Sequence, residues 1–98
     1  MAQFIAVCHR NLEHFSASDF TPELLEEEAE RVRQLYADGT FRHVWGRADN
    51  PGAVIVIEAS SPDEAEAVLA SLPLAIREML TLDVLVPVTP YRGFGPRG

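Results

Sequence analysis

The sequence contains no lysine, one cysteine and one tryptophan in 98 residues, and each scarcity excludes a class of function. All eight basic residues are arginines and 15 residues are acidic, which gives a net charge of −7 and argues against a nucleic-acid partner. The single thiol, Cys8, can form neither an internal disulfide nor a cysteine zinc cluster. His9 and His14 have no partner at metal-ligand spacing, so we expect no metal site.

Long apolar runs are also missing, since none approaches the ~20 residues that a membrane span requires. No basic segment precedes the apolar start MAQFIAVCHR, which argues against a signal peptide. We therefore expect a cytoplasmic protein that does not bind membranes. The length predicts a single domain over residues 1–98. The Pro-, Gly- and Arg-rich tail from about residue 89 is predicted to be irregular and can lie at a subunit interface.

Four β-prone segments are interleaved with two helical ones. Thr21 and Pro22 give a hydroxyl N-cap followed by proline at the first helical position, and Gly39 suits the left-handed end of that helix. Ser61 and Glu64 have the spacing of a capping box at the start of a second helix. The predicted elements are strand 3–9, helix 22–38, strand 40–47, strand 52–60, a shorter helix from 62 to about 72, and strand 80–88.

The order β-α-β-β-α-β predicts an α+β fold of the ferredoxin-like kind, with a four-stranded antiparallel sheet and two helices on one face. Both sheet faces are apolar, although the helices can cover only one. We therefore expect a homodimer in which the uncovered faces meet. Strict alternation places Leu80, Leu82, Val84 and Val86 opposite Leu85 in the last strand, and Phe41, His43 and Trp45 opposite Arg42 and Val44 in the second.

One carboxylate of the first helix falls on its apolar arc. With Leu25 at zero on a helical wheel, Tyr36 falls near +20° and Glu28 near −60°, whereas the other clustered glutamates fall on the open side. Burial would raise the pKa of Glu28 toward the range of a general acid or base. Two interpretations of Glu28 remain. It is a catalytic carboxylate, or it is a structural one whose side chain reaches the edge of the helix–sheet layer or pairs with Arg42 or Arg47.

Part of the chain resembles a known family. The segment 39–45, GTFRHVW, resembles the G-T-W-R-H-L-W segment of muconolactone Δ-isomerases. Glu28 and Glu30 fall on family glutamates, and residues 72–74, LPL, match a family L-P-L after the second helix. The resemblance covers about residues 24–86. It implies a dimeric α+β barrel whose subunits pair sheet to sheet and can assemble into a larger ring of dimers.

The resemblance also implies a chemistry. Muconolactone isomerases move a proton between carbons of an unsaturated lactone without a cofactor. Carried over, Glu28 would be the acid and base, and His43 or an arginine would hold the developing enolate or the substrate carboxylate. Considered alone, a strand histidine such as His43 is usually a packed, hydrogen-bonded residue; together with Glu28 and the family match, a role in the site is equally expected. Trp45 is expected to be a core or cavity-wall residue in either case. The remaining predicted substrate-binding residues are Tyr36, Arg42, Trp45 and Arg47.

Two segments depart from the family pattern, namely residues 8–20 and the tail. Substrate-binding groups often lie on such segments, so the substrate can differ even where the fold is kept. Two other functions therefore stay open. One is a cyclase or cofactor-independent monooxygenase acting on polyketide-like substrates, and the other is a non-catalytic small-molecule-binding subunit in which Glu28 is paired structurally.

Overall fold

The sheet and its helices follow the predicted order. The computed structural model describes residues 2–94 and contains β1 (Ala2–Arg10), α1 (Pro22–Ala37), β2 (Phe41–Gly46), β3 (Gly52–Ala59), α2 (Pro62–Ala70), α3 (Pro73–Ile76) and β4 (Leu80–Val88). The strands form one sheet in the order β2-β3-β1-β4, and every neighbouring pair is antiparallel. This confirms the ferredoxin-like α+β prediction. No helix within residues 2–94 has the length and hydropathy of a membrane span.

The predicted second helix, from 62 to about 72, is observed as α2, and a short helix that was not predicted, α3, follows it. α2 ends at Ala70, and Pro73 begins the separate short helix α3. The cause is local: proline disfavours the helical conformation in the residue before it, and Leu72 is extended with ψ of 137°. The predicted end near Leu72 and Pro73 is therefore close to the observed one, whereas α3 was not predicted.

The helix ends are satisfied largely by the residues that the sequence indicated. The Leu24 N–H donates to the Thr21 hydroxyl at 3.2 Å, and the Glu64 N–H donates to the Ser61 hydroxyl at 3.1 Å. Gly39 follows α1 with φ of +88°, as expected for a left-handed helix end. The capping box at Ser61 is only half formed, because the Glu64 carboxylate accepts from the Ser60 hydroxyl instead.

A β-bulge in β2 corrects the predicted faces of that strand. Phe41 pairs with Ile57, but His43 pairs with Val56, so Arg42 is an extra residue without a direct partner. Phe41 therefore faces the helices and is fully buried, whereas His43 faces the other way. The prediction that Phe41 and His43 share a face was wrong, because one extra residue reverses the alternation after it.

A second bulge corrects the faces of β4. Val7 pairs with Val84, but Cys8 pairs with Leu82, so Asp83 is the extra residue. The predicted grouping of the β4 residues was therefore wrong. Leu80, Leu82 and Leu85 face the helices, and Val84 and Val86 lie on the uncovered side, which we call the open face.

The core lies between the helices and the sheet. Its main cluster contains Phe4, Ala6, Cys8, Leu35, Phe41, Ile55, Ile57, Ala59, Ala65, Leu69 and Leu72. A smaller cluster at the end of the sheet where β1 leads into the 11–21 loop contains Phe20, Leu24, Leu74 and Met79. Burial of these side chains is the main stabilising contribution on this side of the sheet.

α1 is rotated from the orientation that the sequence suggested. Its fully buried residues are Leu24 and Leu35, which fall near −100° and −80° on the wheel that has Leu25 at zero. The buried arc therefore centres close to Glu28. Tyr36, which was expected on the apolar arc, is 61% exposed.

The contact between β1 and β3 requires glycine at position 52. A Cβ atom on Gly52 would overlap the Cys8 carbonyl oxygen and lie 2.8 Å from the His9 Cα. We predict that Gly52→Ala lowers the free energy of unfolding by about 1–3 kcal/mol, because strand backbone must move apart. Urea unfolding at fixed protein concentration measures the change.

Gly46→Ala is the matched control, because nothing lies within 4 Å of a Cβ atom at that position and its φ is not left-handed. Its unfolding free energy should change by less than about 1 kcal/mol. Equal effects of the two substitutions would contradict the steric explanation.

Candidate functional site

Glu28 lies in the layer between α1 and the sheet, and its carboxylate is half-buried. Its Oε1 accepts a hydrogen bond from the backbone N–H of Leu74, in the first turn of α3, at 3.0 Å. The N-cap residue of α3, Leu72, provides no side-chain cap of its own. Glu28 therefore caps a helix 46 residues further along the chain. This hydrogen bond joins two of the segments that carry the family resemblance.

The surroundings of Glu28 raise its pKa. Burial is the largest cause, and it outweighs the lowering by the Leu74 N–H and by the positive charge of Arg10. The neighbouring thiol of Cys8 has its pKa raised to about 11, first by burial and then by the charges of Asp83 and Glu28. Cys8 is consequently protonated at neutral pH and unsuited to act as a nucleophile.

The helix side of the sheet contains two adjoining grooves near α3. One of about 390 Å³ runs between α2 and β4, with Cys8, Leu69 and Leu82 among its lining residues. The other, of about 570 Å³, is bordered by Asn11 and Phe15 of the loop after β1 and by β4. The grooves share two lining residues, Ala75 and Leu80. Glu28 is not among the lining residues of either groove.

His43 and Trp45 lie on the open face, away from Glu28. Their rings are stacked with centroids 5.1 Å apart and planes inclined by 13°. They pair with Val56 and Val54 of β3, whose side chains also point to the open face. The structure therefore does not bring His43 together with Glu28 within one chain, because the sheet separates them.

The predicted arginine and tyrosine residues lie in two further places. Tyr36 and Arg42 border a depression of about 260 Å³ where α1 leads into β2. Arg42 forms an ion pair with Glu58 at 3.5 Å, and Arg47 forms one with Asp49 at 2.8 Å. Neither arginine pairs with Glu28, so the ion pair considered from the sequence is not formed.

A charged network that the sequence interpretation missed surrounds Arg47 at the end of the sheet near the β2–β3 turn. The Nδ1 atom of His9 lies 2.8 and 2.9 Å from the two oxygens of Asp83, and Arg47 lies 3.7 Å from Asp83. Asp83 reaches His9 because it is the bulged residue of β4. A single charge within the apolar stretch LTLDVLVPV was the signal that could have found it.

The hydrogen bond to Asp83 raises the pKa of His9, with a smaller contribution from Glu13. We predict that Asp83→Asn lowers this pKa more than Glu13→Gln does, as followed by NMR titration of the ring. The sign for stability follows from linkage: a raised histidine pKa stabilises the fold fully below the ordinary value of 6.5. The stability difference between wild type and Asp83→Asn should shrink as the pH rises through the folded pKa, and a difference that grows would contradict the pairing.

Comparison with known proteins shows the family and the fold of this chain. A family model described as muconolactone delta-isomerase matches residues 3–91. A crystal structure of muconolactone isomerase superposes with a TM-score of 0.77 over 98% of this chain and 97% of that one, at 19% sequence identity. A search of curated protein sequences finds no match. Because the family model spans nearly all of the sequence, the chain belongs to the muconolactone delta-isomerase family.

Proposed function

We propose that the protein is a cofactor-free isomerase that moves a proton on an unsaturated lactone or a similar enolisable small acid, with Glu28 as the acid and base. The observation that carries the proposal is the half-buried Glu28 carboxylate on the helix side of the sheet, held by the Leu74 N–H. Membership of the isomerase family supports the same reaction class. This activity would belong to the breakdown of aromatic rings in the cytoplasm.

The raised pKa of Glu28 suits it to both halves of such a reaction. The carboxylate takes a proton from a carbon whose C–H bond is acidified by conjugation with the carbonyl group through the double bond, which breaks that C–H bond, forms an O–H bond on Glu28 and leaves a conjugated enolate. The protonated Glu28 then returns the proton to a different carbon, and the double bond shifts. A base of raised pKa is stronger when ionised, and its acid form persists to higher pH than that of an ordinary glutamate.

The hydrogen bond from the Leu74 N–H gives the two carboxylate oxygens of Glu28 different roles. Oε1 accepts the N–H of Leu74, which fixes the orientation of the carboxylate. Oε2 is then the oxygen that exchanges the proton with substrate. Fixing the base in this way supplies part of the orientation that proton transfer requires.

The same hydrogen bond also supports a competing interpretation, in which Glu28 serves only to cap α3. The two roles differ in what they require. A cap needs an acceptor oxygen near the Leu74 N–H, which a glutamine amide also provides. Proton transfer needs an ionisable group, which glutamine lacks.

We predict that Glu28→Gln lowers kcat for muconolactone roughly 100- to 10,000-fold, the usual contribution of a general acid or base. Its free energy of unfolding should change by less than about 1 kcal/mol, because the amide oxygen can still accept from Leu74. Steady-state kinetics and urea unfolding of the same preparation measure the two quantities. Glu27→Gln, at an exposed position of the same helix, is the matched control.

Retention of full activity in Glu28→Gln would mean that Glu28 serves only to cap α3. Loss of activity together with a large loss of stability would point to a damaged fold rather than to missing chemistry. The Glu28→Asp variant then separates the two explanations. It keeps an ionisable group but shortens its reach, so some activity should return if the reaction requires an ionisable side chain at position 28.

The open face supports a homodimer in which two sheets meet. It carries a continuous set of apolar side chains from β1, β3 and β4, with Trp45 of β2, 52% exposed, at its edge. Water contact with such a face is unfavourable, and a second copy presents the same apolar set. Pairs formed in this way can assemble further into a ring. The apolar members are Ile5, Val7, Val54, Val56, Val84 and Val86.

We predict that Val56→Asp, at the centre of the open face, shifts the protein from dimer to monomer in sedimentation velocity experiments. A buried unpaired carboxylate at each of the two symmetric positions would oppose association. Ala67→Asp adds the same charge on the exposed side of α2 and should leave the dimer intact. A wild-type protein that sediments as a monomer at micromolar concentration would contradict the proposed assembly.

A further inference from the structure

We propose that Arg10 binds the carboxylate of the substrate beside Glu28, so that the site selects small monocarboxylates over the corresponding neutral esters and amides. The inference rests on the proposed function, since it names the substrate class of the same site. It gives to Arg10 the role that the sequence pattern suggested for Arg42 or Arg47.

Arg10 lies on the same side of the sheet as Glu28. It is the last residue of β1 and pairs with Leu80 of β4, which packs against both core clusters. Its guanidinium carbon is 5.3 Å from the centre of the Phe20 ring, a cation–π distance. Phe20 packs in the small cluster with Leu24, which precedes Glu28 by one helical turn. One cluster of side chains therefore positions both the guanidinium and the carboxylate.

The guanidinium of Arg10 keeps its hydrogen-bond donors available, whereas several other arginines already donate to acceptors of the chain. Within residues 2–94, its guanidinium takes part in no ion pair and no hydrogen bond, although the side chain is half-buried. A guanidinium offers a planar pair of donors that matches a carboxylate. By contrast, four other arginines donate to side-chain acceptors of the chain, namely Arg31, Arg33, Arg42 and Arg47.

Arg10 and Glu28 influence each other electrostatically but do not form an ion pair. The charge of Arg10 acts on Glu28, yet the two groups form none of the ion pairs found within 4.0 Å among the described residues. A substrate carboxylate held by Arg10 would neutralise this positive charge. The lowering effect on the pKa of Glu28 would then weaken, which makes the ionised Glu28 a stronger base when substrate is present.

The overall charge of the protein makes such a cation necessary for an acidic substrate. The chain carries a net charge of −7, and α1 carries several exposed glutamates on the side away from Glu28. An anionic substrate is repelled by this surface unless a positive group lies where it binds. Arg10 is the arginine whose charge acts on Glu28.

The test compares muconolactone with its methyl ester in wild type, Arg10→Lys and Arg10→Gln. Arg10→Gln should raise KM for muconolactone at least about tenfold and change kcat less, because it removes a charge-assisted contact. The ester, which has no carboxylate, should have a KM that the substitution does not change. Arg10→Lys should recover part of the affinity. Arg77→Gln, at an exposed position after α3, is the matched control.

A second measurement keeps this inference separate from the isomerase proposal. The Arg10 Nε–H resonance, assigned by its loss in Arg10→Lys, should shift when muconolactone is added to wild-type protein and stay unchanged with the ester. A shift without turnover would overturn the isomerase proposal and leave the role of Arg10 intact. Turnover without a shift, an unchanged KM in Arg10→Gln, or equal effects on acid and ester would overturn the role of Arg10.

Discussion

The hydrogen bond from the Leu74 N–H to Glu28 connects the two halves of the helix layer. α3 is one turn long, follows a proline break and has no cap from its own N-cap residue, so its start depends on an acceptor from α1. The same contact holds a carboxylate in a place where burial would otherwise make it costly. Helix position and carboxylate orientation thus follow from one donor and one acceptor, whereas the raised pKa of Glu28 comes from its burial, which outweighs the lowering by this hydrogen bond.

The two β-bulges determine which side chains of β2 and β4 lie on which face of the sheet. Without the extra residue at Arg42, Phe41 and His43 would share a face, so either His43 would point toward the helices or Phe41 would lose its place in the core. Without the extra residue at Asp83, the apolar β4 residues would divide differently and His9 would lack its carboxylate partner. The bulges therefore separate the layer that contains Glu28 on the helix side from an aromatic, valine-rich surface on the open side.

The order of elements, the helix caps and the fold were predictable because they depend on local chemistry, such as Thr21 before Pro22 and a glycine where φ is positive. The orientation of Glu28 was also predictable, although the wheel centred the arc too close to Tyr36. The bulges were not, because an extra strand residue looks like ordinary alternation until its partner is known. Arg10 escaped notice for the same reason: its role depends on Phe20 and α1, which only the folded chain brings near.

The burial of Cys8 has a practical consequence for following the motions of this protein. It is the only thiol in the sequence, it is 1% exposed, and its pKa of about 11 suppresses reaction from the closed state. A thiol reagent can therefore modify the protein only after the helix layer lifts from the sheet. The rate at which the reagent labels Cys8 therefore measures how often that opening occurs, and no engineered cysteine is needed. Cys8 lines the groove, and its pKa responds to the charge of Glu28.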